Sequence, residues 1–114
     1  MSGRLPGADL AIVEQKKIDS YLLNTSHPDG GSKAKFFLAR GFTLLLWQEF
    51  AEALIAQGKE NPVTRVGEDR WGVRYRVDCT CRTPDGKNPC IRTIWQVAHG
   101  DDMPRLLTAH PRRL

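Results

Sequence analysis

The sequence predicts an α+β fold, with two or three N-terminal helices packed on one face of a C-terminal antiparallel sheet of three to four strands. Two observations predict it. Apolar residues recur at helical spacing as far as Gly58, and beyond Asn61-Pro62 the period falls to two. Turn-forming residues then separate the alternating runs, as in a meander.

The elements follow in order. Ala8-Asp9-Leu10-Ala11-Ile12-Val13 is a short apolar piece that reads as an edge strand or as the approach to a helix. From Glu14 to Leu23, Ile18, Tyr21 and Leu22 share one helical face, whereas Gln15, Lys16 and Asp19 fall outside it. Asn24 to Gly31 is a loop, with a Gly30-Gly31 pair that permits positive φ. Ser32 is placed to N-cap a second helix through Lys33, Ala34, Phe37, Leu38 and Arg40, with Gly41 as its terminator. Thr43 can cap a third helix on which Trp47, Phe50, Ala51, Leu54 and Ile55 form a stripe ending near Gly58. Leu44, Leu45 and Leu46 add apolar surface. Burial between helix and sheet explains it better than a partner patch.

In the second half, a weaker strand at Val63 to Glu68 precedes a strict alternation. Val73, Tyr75, Val77, Cys79 and Cys81 interleave with Arg74, Arg76, Asp78, Thr80 and Arg82, giving one buried and one wet face. Turn residues Thr83 to Pro89 lead into Ile91, Thr93, Trp95 and Val97, completing a hairpin. A last strand is expected over Arg105 to His110, stopped by Pro111.

A chain of 114 residues forms one core. A single domain is expected over 8–111, with 1–7 and 112–114 as flexible termini. No apolar run reaches the ~20 residues of a membrane span and the N-terminus has no signal-peptide core, so no membrane partner and a cytoplasmic location are expected. Cys79, Cys81 and Cys90 are an odd, sparse set, for which reduced thiols fit better than a disulfide framework. A formal charge of +4 leans toward an anionic partner.

Three constellations could carry chemistry. If Val73, Tyr75 and Val77 face the helices, then Arg74, Arg76 and Arg82 face away, with Arg92 brought beside them by strand pairing; crowded guanidinium groups suit a phosphodiester backbone. On a solvated strand face such arginines are also ordinary. The second constellation is His27 and His110, with Lys33 and Thr108. RNA is cut when one group takes the 2′-OH proton, another protonates the leaving 5′-oxygen and a cation steadies the phosphorane, and imidazole suits either proton transfer. Thr108 and His110, two apart on a strand, share a face. The third is Cys79, Cys81 and Cys90, with His99 or His110 as a fourth zinc ligand. Small buried hydrophobes are the better reading, because the first two cysteines lie on the apolar face of a strand. No cofactor or metal is called for.

Tyr21-Leu22-Leu23-Asn24, His27-Pro28, Gly31 to Phe37, Gly41-Phe42, Pro84-Asp85-Gly86, Trp95 and Pro104 to Pro111 together resemble a bacterial domain family found as stand-alone proteins and as C-terminal modules of polymorphic toxins and phage head-morphogenesis-like proteins. A weaker similarity links the layout to the ribonuclease fold of barnase, EndoU, colicin and RelE-like toxins. That resemblance implies metal-free activity from His, Lys or Arg and a hydroxyl residue, for which His27, Lys33, Arg105 and Thr108 are the matching positions. The family's closing motif reads Thr-Ala-Tyr-Pro, so His110, in the Tyr place, rests on chemistry alone.

The leading expectation is therefore an RNA-cleaving, toxin-type domain acting by 2′-OH attack. In it His27 serves as base or acid, Lys33 and Arg105 steady the phosphorane, and Thr108 positions the phosphate. Its rivals are a non-catalytic module that binds a cognate protein, inhibitor or immunity-like, and an RNA-binding domain without chemistry.

Overall fold

In the computed structural model, which describes residues 3–112, the alternating half of the chain forms a four-stranded antiparallel meander. Strands β1 (Val63–Asp69), β2 (Gly72–Thr80), β3 (Cys90–Ala98) and β4 (Arg105–Pro111) lie in the order β1-β2-β3-β4, which makes β1 and β4 the edges. The helices come first. A single turn, α1 (Gln15–Lys17), runs into a π turn at Ile18–Leu22, followed by α2 (Gly31–Ala39) and α3 (Trp47–Glu60). The α+β class is the one the sequence predicts.

One core lies between α2, α3 and the sheet. Phe37, Phe50 and Leu54 meet Val77, Ile91 and Trp95, all fully buried. Gly58 lets α3 lie close, since a Cβ there would stand 2.9 Å from the Trp95 ring. Buried polar groups need partners, and Gln57 finds them: its amide donates to the Val77 and Ile91 carbonyls, both at 3.2 Å, and its oxygen accepts from the Thr93 hydroxyl at 2.6 Å.

The segment before α1 does both things its apolar character allowed. Ala8–Leu10 is a 3-10 turn, and Ile12 then makes a parallel bridge to Arg105 on β4. Within the termini expected to be flexible, Leu5 is buried, the Gly3 carbonyl accepts from Val63 N–H at 2.8 Å and the Arg112 N–H donates to the Cys90 carbonyl at 3.1 Å. Residues 1–2 and 113–114 lie outside the described part.

Several local expectations are corrected. Ser32 lies inside α2, whose cap position is Gly30. Helix α3 begins only at Trp47, so Leu44, Leu45 and Leu46 stand in the turn before it and are 50%, 88% and 49% exposed instead of buried. Thr43 caps that turn, accepting from Leu46 N–H at 3.1 Å. Cys79 and Cys90 are joined in a disulfide, against the expectation of reduced thiols. The cause is register: Thr80 pairs with Cys90 and Cys79 with Ile91, which sets the two cysteines diagonally across neighbouring strands. The bond takes two of the three thiols away from any zinc site, and Cys81 is left buried.

Candidate functional site

Two irregularities bring distant residues together on the β4 edge. In the π turn, Leu23 N–H donates to the Ile18 carbonyl five residues back, widening the turn that holds Tyr21. In β4, Trp95 pairs with Leu106 but Ile94 with Thr108, so Leu107 is an extra residue. Because of this bulge Leu106 and Ala109 are both buried, while Thr108 and His110 lie opposite Ile94 and Arg92 on the other face.

Lys33, near the start of α2, reaches across. Its Nζ donates to the Tyr21 hydroxyl at 2.5 Å and to the Thr108 hydroxyl at 3.3 Å, and the two hydroxyl oxygens are 3.1 Å apart. Lys17 adds a second ammonium 5.7 Å from the Tyr21 ring centre. Burial alone would raise the Tyr21 phenol. The hydrogen bonds from Lys33 and Thr108, with the charges of Lys33 and Lys17, outweigh it and draw the phenol below its ordinary value.

His27 packs edge-on against Tyr21, ring centres 4.8 Å apart. Its Nδ1 accepts from the Asp29 and Gly30 N–H groups, both at 3.0 Å, so the proton of the neutral ring sits on Nε2. Gly30 serves this packing through space, not handedness. Neither Gly30 nor Gly31 has positive φ, but a Cβ on Gly30 would lie 2.7 Å from the Tyr21 ring. His110 has the opposite tautomer: Nδ1 lies 3.2 Å from the Pro111 carbonyl, which can only accept, leaving the lone pair on Nε2.

Two depressions flank the Tyr21-Lys33-Thr108 cluster. One, of about 490 Å³, is lined by Glu14, Lys16, Lys17, Ser20, Tyr21, His27 and Leu107. The other, of about 360 Å³, is lined by Ser32, Lys33, His110 and Pro111. Arg105 stands beyond the first and is ion-paired with Glu14 at 3.3 Å. The structure thus gathers His27, Lys33 and Thr108 around Tyr21, sets His110 beside Lys33, and leaves Arg105 at the margin.

Tyr21 is the residue that sequence reasoning missed. In the sequence it falls with Ile18 and Leu22 on one apolar helical face, but a partly buried tyrosine hydroxyl needs a partner, and that requirement is the signal that sets it apart.

His110 also lines a third depression, of about 310 Å³, with Arg65, Arg74, Arg76 and Arg92. The expected arginine face is therefore present, but it is not simply wet. Asp78 is buried beneath it and faces three guanidinium groups, with Arg92 Nε at 2.9 Å, Arg76 Nε at 3.7 Å and Arg112 Nε at 3.8 Å. Burial would raise the Asp78 carboxyl, but hydrogen bonds from Arg92 and Thr64 and the Arg92 and Arg112 charges hold it below the usual range. Three cations around one carboxylate leave net positive charge. Arg74 pairs with Asp69 at 3.2 Å. Arg82 does not join the group: β2 ends at Thr80, and Arg82 pairs with Glu60 at the end of α3. His99 binds the Asp69 carbonyl at 2.9 Å, apart from the site.

Among the described residues no helix is long and apolar enough to cross a membrane. The fold is similar to that of a chain in a contact-dependent growth inhibition toxin–immunity protein complex from Klebsiella pneumoniae 342, with a TM-score of 0.64 and 18% identity over 95% of this chain and 98% of that one. At this identity the likeness is one of fold. Curated protein sequences give no significant match. Residues 4–113 match the family model described as domain of unknown function DUF6883, and with nearly its whole length inside that match the chain belongs to this family.

Proposed function

We propose that this domain cleaves RNA by attack of a 2′-hydroxyl on the adjacent phosphorus. The observation that carries the reading is the Lys33 ammonium held between the Tyr21 and Thr108 hydroxyls, with a histidine lining each flanking depression. His110, with its lone pair on Nε2, takes the 2′-OH proton. Lys33 and the His27 Nε2–H stabilise the charge that grows on the phosphorane oxygens, and Thr108 orients the phosphate. Arg105, released from Glu14, holds a neighbouring phosphate. Arg74, Arg76 and Arg92 lie beyond His110, where the chain of an RNA strand would continue, and they supply salt-dependent affinity. The fold likeness to a chain of a toxin–immunity complex and the sequence resemblance to toxin modules support a toxin-type role.

Incubation with bulk RNA or tRNA in chelator tests this. Cleavage is expected, and Lys33→Ala, His27→Ala and His110→Ala should each slow it by about 10²- to 10⁴-fold. Folded wild-type protein that leaves RNA intact would overturn the proposal.

The exposed Leu44–Leu46 turn favours a protein partner in addition, because three consecutive exposed leucines form an apolar knob that a cognate inhibitor could cover. Leu45→Glu would then weaken inhibition and leave cleavage unchanged.

A further inference from the structure

We infer that Tyr21 is the general acid that protonates the leaving 5′-oxygen, an assignment that rests on the cleavage reading above and deepens it. The 5′-alkoxide is a poor leaving group, so its departure needs a proton from a group whose conjugate base the site stabilises. Tyr21 meets that requirement. A phenolate there would accept from the Lys33 ammonium, now 2.5 Å away, whose remaining N–H stays free for the phosphorane. His27 is less suited, because its Nδ1 already accepts from two backbone N–H groups and its Nε2–H is the one donor left for the phosphorane oxygens. The cationic surroundings that lower the Tyr21 phenol act in the same direction.

The step balances. The 2′-oxygen forms its bond to phosphorus as its proton passes to His110 Nε2. The bond from phosphorus to the 5′-oxygen breaks as the Tyr21 proton passes to that oxygen. A 2′,3′-cyclic phosphate and a 5′-hydroxyl result, and phenolate and imidazolium return to their resting forms by proton exchange through water.

Tyr21→Phe removes the acid but keeps the ring that packs on His27 and Gly30. The test compares two RNA oligonucleotides, one with the ordinary 5′-oxygen at the scission point and one with a bridging 5′-sulfur, whose thiolate leaves without protonation. Tyr21→Phe should cut the oxygen substrate about 10²-fold or more slowly and the sulfur substrate at the wild-type rate. His110→Ala should slow both. Equal loss on both substrates, or loss on neither, overturns the assignment of Tyr21 while leaving cleavage itself standing. Wild-type protein that cuts neither substrate overturns the cleavage reading and, with it, this one.

Discussion

The Tyr21 and Thr108 hydroxyls lie 3.1 Å apart although 87 positions separate them in the chain. Their meeting depends on two departures from regular structure, the π turn that carries Tyr21 and the bulge at Leu107 that re-aims Thr108. The site is therefore a product of the whole fold, and Lys33 joins its two halves.

Removing one hydroxyl should separate chemistry from stability. Thr108→Val is expected to lower stability by about 1 kcal/mol, the usual net worth of a hydrogen bond, and to slow RNA cleavage by considerably more than that free energy implies. Urea unfolding and a rate measurement on the same preparation check both.

Asp78 gives the arginine face a pH dependence. Its folded-state carboxyl is held below the ordinary 3.8, so it contributes stability above that value and loses the contribution as pH falls through the lowered one. Asp78→Asn should cost about 3 kcal/mol at neutral pH by leaving Arg92, Arg76 and Arg112 without their shared anion. The gap between variant and wild type should close in acid, as read by urea midpoints across the pH range.

Gly58→Ala sets two effects against each other. Helix propensity favours Ala by about 1 kcal/mol, but the added methyl would lie 2.9 Å from the fully buried Trp95 ring, which would have to shift within the packed core. Overpacking of this kind costs about 1–3 kcal/mol. The variant should melt below the wild type, and a change in Trp fluorescence should report the shifted ring.

Burial pushes the Cys81 thiol up to about 12. The thiolate is the reactive form, so iodoacetamide should modify Cys81 slowly in native protein at mildly alkaline pH and rapidly in denaturant. Mass spectrometry of the labelled peptide distinguishes the two.

How far such features can be read from residues alone depends on whether they are periodic. The alternation from Val73 to Cys81 set Arg74 and Arg76 on one face, and pairing with β3 brought Arg92 there as expected. Asp78 falls on that same face by the same count, but its burial under three guanidinium groups follows from packing. Arg82 departs because the strand stops two residues earlier, and strand ends leave little trace in a pattern of two. The disulfide was hidden for a related reason. A count of three cysteines carries no information about cross-strand register, and register is what sets Cys79 beside Cys90. Leu44 to Leu46 misled because the helical stripe extends backwards through them in sequence, whereas the backbone turns before Trp47. Loop-to-strand proximity, as between His27 and β4, is not encoded in any local period.

The most direct test of the central claim uses a DNA oligonucleotide carrying a single ribonucleotide, incubated with the protein in chelator. Attack by a 2′-hydroxyl predicts one cut, immediately 3′ of the ribose, with a 2′,3′-cyclic phosphate on one fragment and a 5′-hydroxyl on the other. Cutting at deoxyribose positions, or fragments ending in a 5′-phosphate, would contradict it.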